Sequence, residues 1–352
     1  MTPGAAFGFA GAAFAASLVL TGLARRYALS RSLIDRPNER SSHIVPTPRG
    51  GGLAMVIVIL GGTAALALAG TLPTAVAVAL GGGGALVAGV GFLDDRRGVS
   101  ARVRFGVHAL AAAWAVWWLG GMTELTVGAS HVHMGWPGTA LALATIVWAI
   151  SLYNFMDGID GLAAGEAAIV GLAAALLLDR TGSPLAGLAL LTAAAAGGFL
   201  AWNWPPARIF MGDVGSGFLG FVFAVLALAS ENARTLPALV WLILLGVFFA
   251  DATITLVRRM IRGEQWYAPH RTHAYQRAVQ AGWPHRRVTV LVLLLNVALG
   301  AVAWGAVHEP QRLPLHLVAA GTVLGLVYWL VERHRPMPDP PARPGGAEGT
   351  RQ

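Results

Sequence analysis

The chain has 352 residues, 56% of them hydrophobic and only 12% charged, with a formal net charge of +8 and no cysteine. A soluble domain would carry about a quarter charged residues, and without cysteine there is no disulfide framework, thiolate nucleophile or cysteine metal site. Apolar runs able to cross a ~30 Å hydrocarbon layer recur throughout. The composition therefore predicts an all-α, polytopic helix bundle in the lipid bilayer, and the placement of the positive charge argues against a nucleic-acid partner.

Eleven spans are predicted, at 4–24, 50–70, 72–92, 103–120, 137–155, 162–178, 184–202, 215–230, 236–257, 288–307 and 313–331. The first has no basic n-region and no A-x-A cleavage site followed by a soluble domain, and reads as a retained helix rather than a signal peptide. All 25 basic residues are arginine, and with the N-terminus outside, all but Arg180, Arg234 and Arg312 fall on one side. The positive-inside rule makes that side cytoplasmic. One transmembrane domain is expected over 1–331, followed by a proline-rich cytoplasmic tail, 332–352, that reads as disordered.

The polar stretches between spans carry the chemistry. The first, "DRPNERSSHIVPTPRGGGLA" at 35–54, offers His43 and Arg49 in a proline- and glycine-bearing loop entering a helix. The second, "GFLDDRRGVSARVRF" at 91–105, sets Asp94 and Asp95 side by side, with Arg102 and Arg104 close behind. Adjacent carboxylates repel unless a cation relieves them. The third, "YNFMDGIDGLAAGE" at 153–166, spaces Asn154, Asp157 and Asp160 so that they share one broad face if the segment is helical; such oxygens suit a hard cation such as Mg²⁺. In the fourth, "NWPPARIFMGDVGSGFLG" at 203–220, Asp213 stands among glycines at the start of a span, beyond Asn203 and Phe210. Glycine-rich backbone opening a helix offers N–H groups to phosphate, and Asp213 beside phosphate calls for a metal between them. The fifth, 258–287, is the longest polar connection and is rich in Arg and His, including His270, Arg271 and His273. These side chains suit phosphate binding and proton transfer, although a solvated basic face against anionic lipid competes with that reading. Asp94, Asp95, Asp157, Asp160 and Asp213 all come out at cytoplasmic helix ends. Acids at membrane level are costly unless they face water, a partner or an ion, so their convergence on one membrane face marks a site. His131 and His133 fall on the opposite side, and His108 reads as a helix-packing residue. Asp251 is open between a pairing with Arg258 and catalysis.

These five stretches, in this order, resemble the polyprenyl-phosphate N-acetylhexosamine-1-phosphate transferases (glycosyltransferase family 4). The matching text is D-R-P-N-x-R-x-x-H-x-x-P-x-P-R-G-G-G at 35–52, F-L-D-D-R at 92–96, N-F-M-D-G-I-D-G-L at 154–162, N-x-x-P-A-R-I-F-M-G-D-x-G-S at 203–216 and P-H-R-T-H-A-Y at 269–275. The resemblance implies that Asp94 and Asp95 are paired catalytic acids, with Asp157 between catalytic and metal roles. Asp213, with Asn154 or Asp157, is implied to hold Mg²⁺ (or Mn²⁺). Asp160, Asn203 and Phe210 are implied to line a uridine pocket, and His270, Arg271 and His273 to form the loop that closes over phosphate or sugar. His43, Arg49, Arg102 and Arg104 are further phosphate candidates. The fifth motif departs from the commoner H-x-H-H ending, reading H-A-Y-Q, which resembles an O-antigen-initiating branch using UDP-linked deoxy amino sugars such as N-acetylfucosamine or N-acetylquinovosamine. The loop before the acids lacks the lysine of the cell-wall translocase branch, which disfavours the cell-wall precursor.

The implied reaction joins undecaprenyl phosphate and a UDP-N-acetylhexosamine to give undecaprenyl-diphospho-sugar and UMP, at the cytoplasmic face of the bacterial inner membrane. Oligomeric state is not readable from the sequence, and family analogy is consistent with a homodimer. Two rival classes stand beside it. A membrane prenyltransferase also uses aspartates and Mg²⁺ on a diphosphate, but does not explain the His/Arg loop. A secondary transporter would place its charges near mid-bilayer in repeated halves, which this chain does not do.

Overall fold

The structure is a computed structural model that describes residues 2–35, 37, 45–265 and 270–338. His43 therefore lies outside the described residues. The described residues form thirteen α-helices: α1 (Pro3–Ser30), α2 (Gly52–Leu68), α3 (Thr74–Arg97), α4 (Ala101–Leu119), α5 (Gly135–Met156), α6 (Leu162–Arg180), α7 (Ala186–Asn203), α8 (Asp213–Asn232), α9 (Ala238–Leu244), α10 (Gly246–Ile261), α11 (Ala274–Gln280), α12 (His285–His308) and α13 (Leu313–His334). Two short antiparallel ribbons accompany them, β1 (Ile34–Asp35) with β2 (Thr47–Pro48) and β3 (Glu124–Val127) with β4 (Ser130–His133).

Eight of the helices are long and apolar enough to cross a membrane, or nine spans if the pair α9–α10, bent by 85°, counts as one. This is a polytopic membrane protein. Ten of the predicted spans each fall on one helix and 236–257 falls on the bent pair α9–α10, but eleven spans are not reached on length and apolarity. The 17-residue α2 is short for a crossing, and α4 opens with Arg102 and Arg104.

Helix α8 is the hub, packed against α2, α3, α4, α5 and α9. It is buried without interruption from Val214 to Leu226, as a helix that is apolar all round must be. Glycines make that possible. A Cβ on Gly220 would lie 2.2 Å from the Ala149 carbonyl of α5, and one on Gly52 would lie 2.6 Å from the Gly215 Cα. Small residues at such crossings let backbones approach and gain dispersion contact in lipid. At the far end of α8, Glu231 accepts from the Thr126 N–H (2.8 Å), the Thr126 hydroxyl (2.6 Å) and the Ala238 N–H (2.5 Å). It thereby ties the β3–β4 hairpin, unforeseen in the predicted 121–136 loop, to α8 and α9.

At the arginine-rich end, packed structure continues past the predicted start of the tail. Helix α13 runs to His334 and Met337 is buried, while residues 339–352 lie outside the described set. Glu332 receives Arg258 at 2.6 and 3.0 Å and the fully buried Arg277 at 2.6 Å. Arg258 is thus committed to α13, and not to Asp251. Glu332 clasps α10, α11 and α13 together. Glu332→Gln leaves the buried Arg277 without its charge partner. The expected cost is about 3 kcal/mol, the low end for breaking a buried pair, read as a lower thermal midpoint by intrinsic fluorescence; an unchanged midpoint would show the clasp to be idle.

Candidate active site

The ends of α3, α5 and α8 meet at the arginine-rich end of the bundle. A Cβ on Gly91 would sit 2.5 Å from the Asp213 carbonyl, so α3 lies directly against the start of α8. There the Asp95 carboxylate accepts the N–H groups of Asp213 (3.1 Å) and Val214 (3.2 Å). A helix start leaves such N–H groups unpaired unless something caps them, and Asp95 caps α8 from another helix. Gly212, at φ +76°, lets the chain turn there without a Cβ that would strike the Asp95 carboxylate. The Arg49 guanidinium donates to the Asp95 backbone carbonyl, which places the loop before α2 at the same spot.

Asp94 points elsewhere. Its Oδ1 accepts the Val99 N–H at 2.5 Å and its Oδ2 lies 2.5 Å from Arg104 Nη1. That same nitrogen lies 3.4 Å from Asp213 Oδ2. Arg104 therefore stands between the carboxylates of Asp94 and Asp213, the position where their repulsion is most relieved. Arg102 is exposed and has no hydrogen-bond partner among the described residues. Asn154 lies beside the Asp213 carboxylate and donates to the Ser216 hydroxyl at 3.3 Å.

Asp157 ends α5. Loss of water around it, and the carboxylates of Asp213, Asp95 and Asp160, push it well above the usual carboxylate range. Nothing among the described residues donates a hydrogen bond to its side chain.

Asp160, Asn203 and Phe210 hold loops. Asp160 accepts the Ala207 N–H at 3.0 Å and lies 3.3 Å from His285 Nδ1. Asn203, buried, accepts the Gly161 N–H and donates to the Ile209 carbonyl, both at 2.9 Å. Phe210 pairs through its backbone with Pro48 and Gly51 at 2.8 and 3.0 Å. These polar groups are engaged within the protein, and the base-contacting role implied for them rests on the resemblance. His285, which sequence reasoning passed over, had a signal in the Pro-His-Arg-Arg that opens its span.

The fifth motif docks on the third. Tyr275 donates its hydroxyl to the Phe155 carbonyl at 2.9 Å, and a Cβ on Gly158 would strike that hydroxyl. His273 is buried, stacks on Phe155 with ring centroids 6.2 Å apart, and lies 3.5 Å from Asp251 Oδ1. Asp251 also accepts the Ala274 and Tyr275 N–H groups at 2.7 and 3.1 Å, capping α11. Its partner is thus His273. An acid inside a span is itself a signal, though one that does not name the partner. His270 packs on His273, centroids 4.8 Å apart. Burial, with His273 and Arg259 nearby, holds its imidazole down at about 3, so it is neutral at physiological pH. The Arg271 carbonyl accepts Gln280 at 2.8 Å. Gln276 closes the capping box of α11, so both residues that replace histidines in the H-A-Y-Q ending are engaged in packing.

The donor set suits a hard divalent cation: carboxylates on Asp94, Asp157 and Asp213, an amide on Asn154, no sulfur. Among the described residues no three acids or histidines form a ready-made metal cage. Mg²⁺ asks for none, since it keeps waters and is completed by one or two carboxylates and substrate phosphates. The residues fit it.

Comparison with known proteins places the same motifs within a family. The model for "Glycosyl transferase family 4" matches residues 76–231, which hold the Asp94–Asp95, Asn154–Asp160 and Asn203–Asp213 motifs. The chain is similar to a decaprenyl-phosphate N-acetylglucosaminephosphotransferase of Mycobacterium tuberculosis, 34% identical over 330 residues, with 81% of this chain and 78% of that protein covered. It is also similar to a probable undecaprenyl-phosphate N-acetylglucosaminyl 1-phosphate transferase of Bacillus subtilis, 32% identical over 79% of this chain and 78% of that protein. A phospho-N-acetylmuramoyl-pentapeptide-transferase of Moorella thermoacetica is 30% identical over 72% of this chain and 82% of its own length.

The Asp157 environment makes a test with two readouts. A carboxyl whose folded-state pKa is raised contributes stability at low pH that is lost as pH rises through that pKa. Asp157→Asn removes this loss, so in EDTA the variant melts higher than the wild type at pH 8, and the gap closes as pH falls. If Asp157 serves the reacting charge as the resemblance implies, the same variant loses at least about 100-fold in turnover. A variant that melts like the wild type at both pH values would show that the crowding of carboxylates is relieved some other way.

Proposed function

The chain belongs to glycosyl transferase family 4, the polyprenyl-phosphate N-acetylhexosamine-1-phosphate transferases, and from that membership we propose that it transfers a HexNAc-1-phosphate from a UDP-sugar to undecaprenyl phosphate, releasing UMP. The observation that carries this reading is the meeting of Asp94, Asp157 and Asp213 with Arg104 at one end of a membrane bundle. An acceptor with a long prenyl tail stays in the bilayer and presents only its phosphate at the interface, which is where helix ends have assembled acid and cation. The arginine asymmetry makes that face cytoplasmic, in the bacterial inner membrane.

In the proposed step, an oxygen of the lipid phosphate attacks the sugar-proximal phosphorus of the donor. A new P–O bond forms, the bond to the UMP phosphate breaks, and the sugar C1–O bond survives with its configuration. Such transfers need mainly positioning and charge neutralisation. Bound on Asp213, with Asn154 or Asp157, Mg²⁺ would supply neutralisation of the diphosphate. Arg104 is placed to balance charge beside it, and Asp94 holds Arg104 in place. The lipid phosphate, with a second pKa of about 6 by analogy with phosphorylated side chains, is largely dianionic at neutral pH and needs no strong base. Asp95, both of whose carboxylate oxygens cap α8, serves position rather than proton transfer.

The relatives' names carry N-acetylglucosamine, so that is the first donor to try. The H-A-Y-Q ending keeps a deoxy amino sugar, and with it O-antigen initiation, as the finer alternative, although Tyr275 and Gln276 act in packing. The homodimer rests on family analogy. The test is UMP release by purified protein in detergent, with undecaprenyl phosphate and UDP-GlcNAc, UDP-N-acetylfucosamine or UDP-N-acetylquinovosamine. Lipid-dependent release with one donor, lost in EDTA and restored by Mg²⁺, is expected. No release with any donor from folded protein, beside an active control enzyme, would overturn the reading.

A further inference from the structure

The arginines at the acid-bearing end are not equivalent. Arg49 and Arg104 are spent on the Asp94–Asp95 turn, and Arg258, Arg259 and Arg277 on glutamates. Arg31, Arg96 and Arg97, like Arg102, have no acidic partner among the described residues, but they alone among those four share a groove. These three, with Tyr27 and Leu33, line one open groove of about 450 Å³ between the end of α1 and the end of α3.

Two of the three guanidiniums are held over aromatic rings. Arg31 Cζ lies 5.8 Å from the Tyr27 ring centroid and Arg96 Cζ 4.3 Å from that of Phe92. Cation–π contact of this kind orients a guanidinium without consuming its charge. One turn further into the bundle, the same helix faces become apolar. Leu23 precedes Tyr27 by four residues and Leu93 precedes Arg97 by four, and all three of Leu23, Tyr27 and Leu93 are about half exposed, at 51%, 49% and 50%. Residues four apart share a helix face. The groove therefore presents cation at the helix ends, with an exposed leucine one turn back on each of the two helices.

That combination matches an amphipathic anion, and we propose that this groove binds the phosphate headgroup of an acidic membrane phospholipid, its acyl chains lying along Leu23 and Leu93. A free phosphate would use the arginines but gain nothing from the leucines. Guanidinium forks suit phosphate oxygens, and basic residues at this depth attract anionic lipid.

The experiment is native mass spectrometry of the purified protein titrated with phosphatidylglycerol or phosphatidylcholine. Wild type is compared with Arg31→Gln/Arg96→Gln/Arg97→Gln and with a charge-matched control, Arg286→Gln/Arg287→Gln/Arg333→Gln, at other exposed arginines. Retention of phosphatidylglycerol over phosphatidylcholine is expected to weaken roughly tenfold in the groove triple and to stay at the wild-type level in the control, with both variants melting like wild type. A single Arg31→Gln, expected to give a partial loss, guards against misfolding of the triple. Equal loss in both triples would mean diffuse electrostatic attraction and would overturn the proposal. So would displacement of the lipid by millimolar inorganic phosphate, which would make the groove a free-phosphate site.

Discussion

The Asp95 carboxylate on the N–H groups of Asp213 and Val214 is the contact on which the rest of the site depends. It satisfies the two leading N–H groups of the most buried helix in the molecule, at a depth where unpaired backbone is expensive. It also fixes α3 against α8, and so fixes Asp94, the next residue back, relative to Asp213. A carboxylate at a helix N-terminus is favoured by the helix dipole as well. The pairing of two adjacent aspartates then divides their labour. One builds the junction and the other faces Arg104.

Around that junction, carboxylates accumulate faster than protein cations offset them. Arg104 lies between Asp94 and Asp213, while Asp157 has neighbouring negative charge and no hydrogen-bond donor among the described residues. A site of this kind is held in an unfavourable electrostatic state by packing elsewhere, which is the usual relation between function and stability. The packing in question is identifiable. Asn203 pins Gly161, Asp160 bridges two loops to His285, and Tyr275 locks the fifth motif on the Phe155–Gly158 turn. Behind that loop, Glu332 gathers Arg258 and Arg277 into one clasp.

Much of this was legible before any coordinates. Hydropathy located the helices, because a helix in lipid must be apolar over most of its length, and the acids at helix ends pointed to one face because charge is costly anywhere else. What was not legible depended on contacts between distant residues. Asp95 and Asp213 are 118 positions apart, and only the approach permitted by Gly91 and Gly212 makes the first a cap for the second. Composition could not tell Asp251 that His273, rather than Arg258, would be its partner. The prolines of "ERHRPMPDPP" suggested disorder, whereas Glu332 and Met337 are packed. Asn203 and Asp160 illustrate the same limit: the resemblance implies a uridine pocket for them, and residue type could not tell that they also hydrogen-bond Gly161, Ile209 and Ala207.

The central claim is that the carboxylates at the start of α8 hold a divalent cation for the donor diphosphate. It is tested most directly by soaking crystals with Mn²⁺ and UDP and locating the metal from its anomalous scattering. The account predicts one strong peak in direct ligation with the Asp213 carboxylate, shared with Asn154 or Asp157, and no such peak in Asp213→Asn. A peak elsewhere, or one that survives in Asp213→Asn, would contradict it.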